Sequence, residues 1–140
     1  MPYRLEPHVA GELGGATRLD PSQHPPAVSE VEYLLDGPEA DELIESFPVF
    51  LVSTALAERL SVEGLTGFAL GQATVRPGAE YTAMYGDAAH PDYLWLRPDG
   101  SAPSEDAWLD HEYRLCVSDR MMSALQQHRI GRCAIEPLTH

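Results

Sequence analysis

An α+β fold, with a mixed β-sheet and about three short helices, is what this sequence predicts. Two matching stretches carry the prediction. One is Phe50-Leu51-Val52-Ser53 followed by Thr54–Leu60, and the other is Leu115-Cys116-Val117-Ser118 followed by Asp119–Leu125. Each is a short apolar run, then a serine at a helix-start position, then about two turns of helix pattern. Each continues through glycine (Gly64 and Gly67, or Gly131) into another apolar run, Phe68–Val75 or Cys133–Ile135. The third observation is composition: 44% hydrophobic residues in 140, enough for one domain with its own core.

Residues 1–29 are expected to form an irregular segment packed on a single α+β domain, residues 30–140. Tyr3-Arg4-Leu5 has the makings of a short strand. The glycines at 11, 14 and 15 and the prolines at 21, 25 and 26 then favour extended chain and turns, with one or two edge strands at most. Val31–Leu35 is predicted as a strand. Glu39–Phe47 is predicted as a short helix, because Pro38 fits its first position and Leu43, Ile44 and Phe47 share a face at helical spacing.

Val49–Val52, apolar throughout, predicts a strand buried on both faces. Ser53 caps the following helix, with Leu56 and Leu60 inward. Leu65–Val75 contains the next strand, and Gly71 within it points to a bulge or a close backbone approach. Tyr81–Tyr85 is a helical turn, and Tyr93–Leu96 a strand ended by Pro98-Asp99-Gly100. Ser101–Glu112 is a polar, acidic excursion around Trp108 and Leu109. Tyr113–Val117 is a strand, Ser118 caps a helix over Asp119–His128, and Cys133–Ile135 is the last strand.

The charge balance excludes several functions. There are 22 acids and nine cations, a formal net charge of −13, and every cation is arginine. Phosphate repulsion makes such a surface a poor partner for nucleic acid or an anionic membrane. No apolar run approaches the ~20 residues that span a bilayer. The start lacks a basic region followed by an apolar stretch, so the expected location is cytoplasmic. The acids cluster in two runs without an intervening arginine: Glu30 to Glu45, and Asp99 to Glu112. They are either solvated faces or an anionic patch for a cationic partner.

Cys116 and Cys133 lie in apolar runs with no basic flank to lower their pKa, which is the pattern of inert core thiols. Asp110-His111-Glu112 and His90-Pro91-Asp92 are the densest titratable clusters. In a strand, alternation separates Asp110 and Glu112 from His111; in a loop the three can converge. No nucleophile elbow, zinc-protease helix or phosphate loop is present. No cofactor or metal is expected. Trp108 stands out because nothing in its acidic surroundings calls for a bulky ring, and loop aromatics often anchor partners.

From Val31 to Leu138 the chain resembles the bacterial double-CxxCG motif proteins and related immunity proteins of polymorphic toxin systems. The resemblance lies in the block Phe50–Leu60 into Leu65–Phe68. It continues in Tyr93–Leu96 with Gly100 and Glu105-Asp106, and ends in Leu115–Ser118 with its helix and the closing Ala134–Leu138. The paired CxxC motifs are missing, so nothing about zinc carries over. The resemblance implies an interaction protein that neutralises a toxin by binding it, with no catalytic residues. Asp106, Trp108, Asp110 and Glu112, then Asp41, Glu42 and Glu45, are the expected contact residues, and a basic cognate toxin is the expected partner of a monomer or homodimer. The alternative is a small enzyme or ligand-binding domain whose pocket uses His90, Asp110 and His111.

Overall fold

The computed structural model describes residues 1–23, 26–102 and 104–138. In chain order the elements are β1 (Tyr3–Glu6), β2 (Gly11–Leu13), β3 (Arg18–Asp20), β4 (Ala27–Glu30), β5 (Glu32–Leu35), β6 (Leu43–Ser46) and β7 (Val49–Ser53). Then come α1 (Thr54–Val62), β8 (Phe68–Gly71), β9 (Thr74–Pro77), α2 (Ala79–Tyr85) and β10 (Tyr93–Pro98). β11 (Ala107–Leu109), β12 (Leu115–Val117), α3 (Asp119–Leu125) and β13 (Ala134–Pro137) complete the chain. The class is α+β, as the sequence predicts.

The two matching stretches fold alike. β7 leads through α1 to β8, and β12 leads through α3 to β13. In each case the two strands run parallel but do not touch, because a third strand lies antiparallel between them: β10 in the order β6-β7-β10-β8, β1 in the order β11-β12-β1-β13. Each sheet is closed by an edge strand, β6 or β11, that pairs antiparallel with the strand feeding the helix. Ser53 accepts a hydrogen bond from the Leu56 amide, and Ser118 accepts one from the Met121 amide, both at 3.1 Å. These are the capping roles that the serine positions predict.

Residues 1–29 are not the irregular segment expected. They contribute β1, β2, β3 and most of β4, and β1 is an inner strand hydrogen-bonded on both sides. Its neighbours, β12 and β13, lie more than a hundred residues downstream, so no local pattern announces the pairing. The helix expected over Glu39–Phe47 is also replaced, by strand β6. Leu43 and Ile44 are both fully buried, but in different cores, which a strand's alternation allows and a single helix face does not. Trp108 and Leu109, expected in an excursion, form part of β11.

The sheet β6-β7-β10-β8 divides the interior. Phe50 and Val52 of β7 face one core with α1, α3 and the inward side of β1 and β12; Val49 and Leu51 face the other, with Tyr33, Tyr81, Tyr93 and Trp95. The second core is covered by the sheet β2-β5-β9, in which β5 and β9 are parallel, and by α2. Buried phenols tie these layers. Tyr33 Oη donates to the Glu45 carbonyl at 2.8 Å and accepts from the Ala10 amide at 3.0 Å; Tyr93 Oη donates to the Asp41 carbonyl at 2.7 Å. Between α1 and β8 the chain turns at Gly67 with φ of 93°, where an added Cβ would sit 2.3 Å from the Ala107 carbonyl oxygen.

Candidate functional site

The carboxylates singled out in the sequence fall into two groups, and the first is internal. Asp106 precedes β11, is 8% exposed, and accepts from Ser118 Oγ at 2.7 Å, the Thr66 amide at 2.9 Å and Arg120 Nη2 at 2.8 Å. Glu42 precedes β6 and accepts from Ser53 Oγ at 2.7 Å, the Arg129 amide at 2.8 Å and His128 Nδ1 at 3.0 Å. The backbone repeats the arrangement. The Ser53 and Ser118 amides donate to the carbonyls of Glu42 and Asp106, and the Glu42 and Asp106 amides donate to those of Arg129 and Thr66.

Each acid therefore holds the helix cap of its own unit and the chain leaving the helix of the other. Thr66 follows α1; His128 and Arg129 follow α3. The pair forms two reciprocal clamps across the α1–α3 interface. Burial raises the Asp106 pKa, but Arg120, Ser118 and the Thr66 amide outweigh it and bring the carboxyl down to about 2. Glu42 shows the same balance: burial opposes ionisation, and the Arg129 amide, Ser53 and His128 hold the carboxyl below its ordinary range.

Asp41 is similarly committed. It is 2% exposed and accepts from the Arg132 amide at 2.7 Å. Expected as contact residues, Asp41 and Asp106 are instead buried and Glu42 is half-buried in a clamp, because each accepts from a backbone amide: that of Arg132, Thr66 or Arg129. Asp110 is partly buried too. It organises the β11–β12 turn by accepting from the Glu112 and Arg114 amides and lies 3.4 Å from Arg4 Nη1. Glu112 is half-exposed and lies 3.7 Å from Arg4 and 3.9 Å from Arg114. Trp108 is half-buried on edge strand β11, opposite Cys116.

The histidines do not assemble with these acids. His90 Nδ1 lies 2.7 Å from the Pro91 carbonyl oxygen, and its ring stands edge-on to Tyr81. His111 is 85% exposed in the β11–β12 turn, with Glu112 3.7 Å away. No hydrogen bond or ion pair among the described residues joins His90 to Asp110 or His111, and among those residues no three His, Cys, Asp or Glu side chains are placed to hold a metal ion. Burial pushes the Cys116 thiol up to about 11 and that of Cys133 to about 12, so both are protonated at neutral pH.

No protein-family model matches this chain, and no match is found among curated proteins or among solved structures. The site is therefore read from its own chemistry. No helix among the described residues is long and apolar enough to cross a membrane.

Of the expected residues, Glu45 behaves differently from the rest. Its amide and carbonyl are engaged by the His8 carbonyl and Tyr33 Oη, but its carboxylate forms no hydrogen bond or ion pair with the described residues. Burial, with Glu6 adding repulsion and Arg114 only partly opposing it, pushes the carboxyl up to about 7. A group whose folded pKa lies above its unfolded value of about 4.5 favours the fold when protonated. Its stabilising effect is complete below the unfolded pKa and disappears as pH rises through 7. Glu45→Gln is therefore expected to match the parent at pH 4 and to exceed it at pH 8 by about 1–2 kcal/mol, after allowance for partial exposure. Urea melts of both proteins across that range measure the difference.

Proposed function

We propose that this chain is a non-enzymatic binding protein of the cytoplasm that acts by direct contact with a cationic protein, as an immunity protein does when it covers its toxin. The observation that carries the reading is the uncompensated acid. The chain has a net charge of −13, and after Arg4, Arg114, Arg120 and Arg132 are engaged, Asp36 and Glu39 remain exposed and Glu45 half-buried without an arginine at ion-pair distance. An anionic face of this kind attracts a basic partner over distance and speeds encounter. The resemblance to immunity proteins supports the same reading.

The test is co-expression with the product of the neighbouring gene. The expected result is that the neighbour alone stops growth and that this protein restores it. A harmless neighbour, or growth arrest that persists with this protein abundant and folded, contradicts the proposal.

A further inference from the structure

Three shallow grooves on one face share their walls. The first runs between His8–Ala10, the loop Asp36–Ala40 and Tyr85 at the end of α2. Val9 and Arg132 also line the second, which holds Glu45 and Phe47. Glu6, Arg114 and Ala134 continue from the second into the third, beside Ile135 and Glu136 of β13. Together they form one trench from Tyr85 to β13.

Its lining is unusual in two respects. Eight large apolar side chains are exposed among the described residues, and three of them lie along it: Tyr85 at 48%, Val9 at 61% and Phe47 at 53%. Scattered apolar residues need no explanation, but apolar residues aligned in one concave strip mark a contact surface. The same strip carries six carboxylates against three arginines, and two of those arginines are already paired, Arg4 with Glu136 and Arg114 with Glu6. At its far end, β13 is the last strand of its sheet and all four of its residues are exposed.

We propose that this trench seats an extended segment of a partner protein in which arginine or lysine alternates with apolar side chains. The proposal rests on the reading of the chain as a binding protein and names the surface that it uses. Apolar side chains of the segment cover Val9, Phe47 and the ring of Tyr85, while its cations reach Asp36, Glu39 and Glu45. An ammonium or guanidinium beside Glu45 supplies the counter-charge that this half-buried carboxylate lacks. An extended backbone also suits the open edge of β13, where strand addition uses unpaired main-chain groups. The occupant is basic rather than acidic because six carboxylates outnumber three arginines along the trench, of which Arg132 alone has no carboxylate partner among the described residues.

The experiment uses the full chain labelled with ¹⁵N and a synthetic peptide of alternating arginine and leucine, with a glutamate–leucine peptide as control. The expected result is chemical-shift change confined to the amides of Val9, Ala10, Gly37, Glu45, Phe47 and Ile135, saturable, and weakened as salt rises from about 0.05 to about 0.3 M. The variants Val9→Arg and Phe47→Arg alter exposed side chains and leave both cores intact. Each is expected to weaken the arginine peptide by about tenfold or more without changing the melting curve. Shifts spread over remote acids such as Glu58 and Asp99, equal binding of the glutamate peptide, or unaltered binding by folded variants each overturn the proposal. So does broadening of the same amides with protein concentration alone, which would assign the trench to a second copy. Toxin neutralisation that survives both variants would remove the trench while sparing the immunity reading. Peptide binding beside a harmless neighbouring gene product would do the reverse.

Discussion

Asp106→Ala is expected to lower stability by about 2–4 kcal/mol at neutral pH, because it leaves Ser118 Oγ, the Thr66 amide and Arg120 without their shared acceptor. The size of the effect follows from the carboxyl itself. Its pKa of about 2 in the fold lies below the ordinary 3.8, so ionisation stabilises the folded state. The contribution is present above pH 4 and is lost as pH falls through 2, and the shift corresponds to about 2 kcal/mol. Loss of the Ser118 cap adds to it, since the hydroxyl no longer has a fixed orientation. Urea melts at pH 7 and pH 2.5 check the prediction: the parent and variant should differ strongly at the first and much less at the second. Equal stabilities at pH 7 would mean that the clamp is decorative.

Deleting residues 1–6 should have a larger effect still. It removes β1, and with it the strand that joins β12 to β13. Leu5, 1% exposed in the first core, leaves at the same time. Both sheet neighbours would then present unpaired amides and carbonyls, each costly to leave unsatisfied when buried. The truncated chain is expected to show no cooperative thermal transition. Leu5→Ala, which keeps the strand and removes only the packing, should cost about 2–5 kcal/mol and melt cooperatively. A truncated protein that melts like the intact one would show β1 to be an accessory rather than the centre of its sheet.

These two cases also mark where sequence reasoning succeeds and fails. The units β7–α1–β8 and β12–α3–β13 were legible because their signals are local: an apolar run, a capping serine and a glycine within about twenty residues. β1 was not legible as an inner strand, because its partners are remote in the chain. β6 reads as a helix in the sequence because Leu43, Ile44 and Phe47 satisfy helical spacing; a core on each side of the sheet makes a strand the better solution. Phe47 is in fact 53% exposed, at the turn into β7.

The acids were legible as runs but not as individuals. Glu42 and Asp106 look like neighbours of Glu45 and Glu112, yet they are internal cross-links. One signal did exist. Glu42 stands 11 residues before Ser53 and Asp106 stands 12 before Ser118, so the carboxylate repeats with the unit that contains it. An acid that recurs at one position of a repeated unit belongs to the framework. Glu45 aligns with Leu109 across the two units, each opposite the first residue of its neighbour strand that faces the first core, Phe50 or Leu115. A carboxylate that breaks the repeat in this way is a better candidate for contact with something outside the chain.

Docking to a basic partner is the proposed mode of action of this protein. Isothermal titration of the intact chain with the purified product of the neighbouring gene tests it most directly. Saturable binding is expected, weakening as salt rises and impaired by Val9→Arg and Phe47→Arg. Growth protection by the intact chain with no measurable binding between the two purified proteins would contradict it.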